Sequence, residues 1–167
     1  MSRGFVKEED QEEAPIIPPR AALPPGVANY VTPAGYQALL DEKQALEEEQ
    51  RNLSKENETE HRRASMAIDG RLKLLLERIQ SARVIEPSKQ PEKEIRFGAS
   101  VCFEMDGEKK EFQIVGVDEA DISKNKIAFI APIARALSGK KVGDETDLEL
   151  GNKNRRLKVL SISYPAE

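Results

Sequence analysis

The sequence contains no Trp, one Cys and one His, and only three Tyr and five Phe among 167 residues. Cys102 alone cannot close an internal disulfide, and with His61 it makes no set of thiolates and imidazoles for a structural zinc site. No run of about 18 apolar residues occurs, which excludes a membrane-spanning helix. The opening stretch, MSRGFVKEEDQEEAP, places acids where a secretory leader needs apolar residues, so the chain reads as cytoplasmic. Nor is there an excess of one charge. Thirty acids against 26 bases leave a net −4, which argues against naked nucleic acid as the main ligand. A chain of this length holds one or two small domains and no large catalytic fold.

Charge is nevertheless abundant, at 34% of residues, and its arrangement is informative. Residues 1–30 hold Pro15, the pairs Pro18-Pro19 and Pro24-Pro25, and an acidic cluster from Glu8 to Glu13. So few large apolar residues cannot offset the entropy of ordering, so a mostly disordered arm is expected, with Phe5, Ile16 and Ile17 as anchors for a partner. Thr32 then offers an N-cap and Pro33 a first helical position. Tyr36, Leu39, Leu40, Lys43 and Leu46 recur at spacings of three and four, predicting a helix to about Gln50. After a polar stretch a second run follows through Ala64, Ile68, Leu72, Leu75 and Ile79 to Ala82. Two such helices bury narrow apolar stripes only against each other, which predicts an antiparallel hairpin over 31–85 with its tip near 52–60. Its arms differ in charge: eight acids and three bases over 41–60, two acids and six bases over 61–83.

Residues 86–93, with Pro87 and Pro91, read as a linker. Beyond them, over 94–164, Ala99, Val101, Phe103 and Met105 alternate with polar residues, Asp106-Gly107 signals a tight turn, and Phe112 to Val117 gives a return strand. Lys126 to Ile130 reads as a third strand and Pro132 to Leu137 as a short helix. Thr146 to Leu150 and Arg155 to Tyr164 form a last hairpin around Gly151-Asn152. The expected class is α+β, a helical hairpin followed by an antiparallel β domain of about 70 residues carrying one short helix.

Four stretches together carry a family resemblance. They are Val31-Thr32-Pro33-Ala34-Gly35-Tyr36, Phe97 to Val101, Ile114 to Asp121, and Ala131-Pro132-Ile133-Ala134-Arg135-Ala136-Leu137-Ser138-Gly139-Lys140-Lys141-Val142-Gly143-Asp144. In this order they resemble the bacterial Gre (GreA/GreB) transcription elongation and transcript cleavage factors, over about residues 31–164. The resemblance implies an N-terminal antiparallel coiled coil and an FKBP-like globular domain. It implies that the globular domain grips RNA polymerase at the rim of the secondary channel, within an elongation complex of DNA and RNA. The coil then reaches toward the active centre, where an Asp and a Glu at its tip help hold a Mg2+ shared with the polymerase. The polymerase's own site then hydrolyses backtracked RNA, and the factor, acting as a monomer, is not itself an enzyme.

The resemblance also marks departures. Lys55, Glu56 and Asn57 match the family's tip, but Leu53 stands where it has Asp, which leaves Glu56 with Glu58 or Glu60 as tip acids and Glu56 and Glu58 as the shared magnesium ligands. The hairpin is shorter than the family's long form by roughly two turns per arm, on the order of 10 Å of reach. Before the short helix, Ile130, Ala131 and Pro132 occupy a polymerase-contacting stretch that is polar in the family, and Arg135, Lys140 and Lys141 flank it. The rival readings are a non-cleaving, Rnk-like occupant of the channel, an FKBP-like peptidyl-prolyl isomerase or chaperone, and DNA contact through Arg62, Arg63, Arg71, Lys73, Arg78 and Arg83.

Overall fold

In a computed structural model, residues 14–165 are described, and the calls on residues 1–13 lie outside them. Strand β1 (Asn29–Val31) leads into helix α1 (Pro33–Arg51), a loop turns the chain, and helix α2 (Glu58–Ser81) returns to strand β2 (Ala82–Val84). Leu39 and Leu46 of α1 meet Ile68 and Leu75 of α2 in a buried seam, with Tyr36, Leu53, Leu72 and Ile79 around it. Gln50 near the end of α1 bonds Asp69 at 2.6 Å, so the helices run in opposite directions. Thr32 caps α1 by accepting from the Gly35 N–H at 2.9 Å, with Pro33 behind it. Asn57 caps α2 by accepting from the Glu60 N–H. At about 1.5 Å per residue the helices are roughly 28 and 36 Å long.

The head is a five-stranded sheet in the order β5-β4-β3-β7-β6. Its strands are β3 (Ser100–Met105), β4 (Glu108–Val115), β5 (Lys126–Ala128), β6 (Glu145–Leu150) and β7 (Lys153–Ser163), with helix α3 (Pro132–Leu137) packed against it. Asp106 (φ 53°) and Gly107 (φ 84°) make the β3–β4 turn with two left-handed residues, the geometry that matches strand twist. Val101, Phe103, Ile114, Ile127, Leu148, Leu157 and Val159 face Ile95, Ala134 and Leu137 in a closed core.

Three expectations are corrected. The sheet is mixed: β4 and β5 are parallel, Gln113 opposite Lys126. Ten residues separate them, enough to carry the chain back over the sheet through a short turn capped by Asp121 and ended by Asn125 at φ 56°. Strand β5 stops at Ala128, because the Ala131 N–H bonds the Ala128 carbonyl and closes a turn ahead of Pro132, so Ile130 lies in a turn. Order also begins well before Val31. Strand β1 pairs in parallel with β2 (Asn29 with Ala82, Val31 with Val84), and residues 14–28 are held by side-chain contacts that no local pattern announces.

Two predictions follow from this packing. A Cβ at Gly116, just past β4, would stand 2.6 Å from the Tyr30 carbonyl oxygen, and backbone cannot give way as a side chain can. Gly116→Ala is expected to destabilise the protein by about 1–3 kcal/mol, read as a lowered denaturation midpoint. Also in the head, the Tyr164 hydroxyl donates to the Glu94 carbonyl and accepts from the Arg96 N–H at 2.9 Å. Burial pushes its pKa above the ordinary value, although the Arg96 N–H opposes the shift. A raised folded-state pKa means that the stabilisation is complete below about pH 10 and is lost as pH rises through the folded value. Denaturation from pH 8 to 11 should show that loss, and Tyr164→Phe should cost on the order of 1 kcal/mol at neutral pH and flatten the alkaline limb.

Candidate functional site

The expected site residues fall into two groups at opposite ends of the molecule. Glu56, Glu58 and Glu60 are exposed at the hairpin tip, Glu56 in the loop and the other two in the first turn of α2, where acids suit the helix N-terminus. The loop is tied down by His61, whose Nδ1 lies 3.1 Å from the Ser54 carbonyl oxygen. A carbonyl only accepts, so Nδ1 carries the proton in that bond. Leu53 turns inward and packs against the end of the hairpin seam.

These acids do not gather into a ligand set. Among the described residues no group of three or more His, Cys, Asp or Glu side chains is placed to hold a metal ion. Glu58 and Glu60, two positions apart on a helix, point about 200° from one another and cannot close on one ion.

At the head, Ile130 and Ala131 are half-buried and Pro132 opens α3. Ala131 and Phe129 pack against the head core, whereas Ile130 between them is outside that cluster. Arg135 is exposed one turn into α3. Lys140 and Lys141 follow its end, with the Lys140 carbonyl taking the Ile95 N–H and the Lys141 N–H donating to Asp144. Of the six residues, Pro132 and Arg135 lie in a helix about 9 Å long, Ile130 and Ala131 precede it, and Lys140 and Lys141 follow it. Beside it lies a pocket of about 370 Å3 lined by Tyr30, Phe97 and Phe129, whose rings meet at 5.5–5.9 Å between centroids, with Gln90 and Arg96 at its edge.

What joins the two ends is a polar clamp that sequence reading missed. Asp118, in the loop after β4, accepts from Arg20 Nε at 3.1 Å and from Arg78 Nη1 at 3.2 Å, and its side chain is only 8% exposed. Arg20 also grips both oxygens of Glu42 on α1, a bidentate pair that, ahead of the Asp118 charge, holds the guanidinium pKa above its ordinary value. Next to Asp118, Glu119 accepts from Thr32 Oγ1 at 2.5 Å and from Lys126 Nζ at 3.2 Å. Thr32 thereby spends its hydroxyl twice, as acceptor for the α1 cap and as donor to the head. A Cβ on Gly35 would stand 2.5 Å from Glu119, so the close approach needs a glycine there. Two of the stretches that carry the family resemblance, 31–36 and 114–121, therefore touch each other here. Arg78 was counted with the basic surface of the second arm and is instead spent in this clamp, while Arg71 reaches Glu49 at 3.8 Å.

Because Asp118 is buried between two cations, its removal leaves Arg78 without its carboxylate and Arg20 with Glu42 alone. Asp118→Ala is expected to cost about 3–5 kcal/mol and to loosen the hairpin from the head, seen as a lower denaturation midpoint and a broader small-angle scattering distance distribution. Arg156→Ala, which breaks an exposed pair with Glu145 and Asp147, should leave both measurements unchanged.

Comparison with known proteins places the sequence among named relatives. The family described as transcription elongation factor, GreA/GreB, C-term, matches residues 90–164. The chain is 33% identical over 153 residues to transcription elongation factor GreB of Neisseria meningitidis, covering 81% of this chain and 94% of that protein. It is 33% identical over 151 residues to GreA of Thermodesulfovibrio yellowstonii, covering 80% and 96%. It is 36% identical over 152 residues to GreA of Francisella philomiragia, covering 80% and 95%. Identity at this level along more than nine-tenths of each relative shows that the chain belongs to the GreA/GreB family of transcription elongation factors.

Proposed function

We propose that this elongation factor binds RNA polymerase with the strip from Ile130 to Lys141 and directs its helical hairpin into the secondary channel, where the tip acts on elongation. In this reading the hairpin is the family's coiled coil and the head its FKBP-like domain, split near residues 86–93. The single observation that supports it is the clamp at Asp118 and Glu119. A hairpin held to the head by buried ion pairs moves with it, so docking the head also aims the tip. The docking strip suits a protein partner: Ile130 and Pro132 supply apolar surface, while Arg135, Lys140 and Lys141 supply positive charge for an acidic rim. The protein works as a monomer in the cytoplasm and is an accessory to the polymerase, not an enzyme. No helix among the described residues is long and apolar enough to cross a membrane.

At the tip, Leu53 packs against the hairpin seam, and the exposed acids are Glu56, Glu58 and Glu60. The deciding experiment adds the protein to backtracked elongation complexes of its own polymerase and follows the RNA 3′ end. Shortened RNA that Glu56→Ala with Glu58→Ala abolishes assigns cleavage stimulation to the tip acids; unchanged RNA with altered pausing assigns channel occupancy. In both cases Ile130→Asp should weaken polymerase binding about tenfold or more, the weight of one central apolar contact. Full binding by Ile130→Asp would overturn the docking assignment.

A further inference from the structure

Residues 14–28 form a strap across the base of the hairpin, ahead of Val31, where the family resemblance begins. Its contacts are few and specific. The Ala21 carbonyl accepts from Arg78, and Arg20 bonds Asp118 and both oxygens of Glu42. Pro18 and Pro19 line a cleft of about 350 Å3 together with Arg71, Leu74, Val117 and Ala120. Ile17 is half-buried over Gly70, so close that a Cβ on the glycine would stand 2.6 Å from Ile17 Cδ1 and 2.7 Å from its Cγ1. Gly70 lies in the interior of α2, about 16 Å from its end at Ser81, where alanine would favour the helix. The missing side chain leaves a notch that Ile17 fills.

The strap is held differently from the rest of the fold. Residues 14–28 form no helix or strand, and among the described residues no backbone-to-backbone hydrogen bond joins residues 14–26 to a helix or to the sheet. A segment held by a few side-chain contacts opens at a cost well below that of global unfolding. Its docking is still prepared in advance, because Pro15, Pro18 and Pro19 restrict the free chain to extended shapes and reduce the entropy lost on binding. Pro18-Pro19 is also a stiff connector between the two anchors, so lifting Ile17 lifts Arg20 with it. Arg20 is the polar link between Glu42 on α1 and Asp118 on the head. With the strap off, α1 keeps the Thr32 bond to Glu119 at its cap and α2 keeps Arg78 on Asp118, both near the base.

We propose that residues 14–28 are a latch. The strap docks and releases as one unit, with Ile17 in the Gly70 notch and Arg20 on Asp118 and Glu42, and its release lets the hairpin pivot on the head. The inference rests on the clamp and the notch, and holds whichever partner the head docks on.

Gly70→Ala tests this in the full chain without touching a charged group. It fills the notch while favouring α2, so helix content is retained, which circular dichroism checks. Trypsin cutting after Arg20 reports release, because a docked Arg20 side chain, 18% exposed and bonded to two carboxylates, cannot enter the protease. Cleavage there is expected to rise about tenfold or more in Gly70→Ala, with a broader small-angle scattering distance distribution. Ile17→Ala, which leaves α2 as it is, should raise cleavage too, and adding Gly70→Ala to it should raise it no further, because the clash is gone. A wild-type cleavage rate in either single variant would overturn the proposal. So would faster cleavage with an unchanged distance distribution, or an equal acceleration by Gly70→Ala in the Ile17→Ala background, which would place the effect in the helix.

Discussion

One carboxylate holds this molecule's shape. Asp118 sits between Arg20 of the N-terminal strap and Arg78 of the second helix, and through Arg20 it is linked to Glu42 of the first. Strap, both helices and head therefore meet at one charge. A buried carboxylate with only one cation would leave part of its desolvation cost unmet; two guanidinium groups with hydrogen bonds on separate oxygens offset far more of it. The neighbouring Glu119 repeats the arrangement with Thr32 and Lys126. Surface pairs such as Lys89 with Glu86 have no comparable role, because water screens them and holding long side chains costs entropy.

The clamp sits where two glycines allow close approach, one to backbone and one to a side chain. Gly116 leaves room for the Tyr30 carbonyl and Gly35 leaves room for Glu119, so β1, the start of α1 and the β4 loop are pressed into contact. Parallel pairing of β1 with β2 then lays the two ends of the hairpin side by side. The result is a rod some 28 Å long whose direction is set at its base. In the proposed function that separates the tasks: the head surface around α3 binds, and the tip acts at a distance.

Much of this was legible in the sequence. The apolar positions of both helices, the Thr32 cap, the Asp106-Gly107 turn and the limits of α3 were all set by neighbours within a few residues, through periodicity, capping and turn chemistry. The parallel β5, the turn at Ile130 and the order of residues 14–28 were not. Each depends on a segment that is distant along the chain or on backbone bonds that a residue pattern does not encode.

The candidate site divides along the same line. That Glu56, Glu58 and Glu60 are exposed at a turn, and that Pro132 begins a helix beside Arg135, follows from sequence alone. That Leu53 packs against the seam and Arg78 is withdrawn from the surface does not. Arg20 and Asp118 are 98 positions apart, and Thr32 and Glu119 are 87. Local propensity carries no information about such pairs, since any Arg or Asp on a polar segment looks like a solvated surface charge. The sequence by itself determined which segments are helix, strand and turn, because those choices are local. Only the tertiary structure decided which charges are buried against one another, and hence where the hairpin points, because that choice is made by desolvation where distant segments meet.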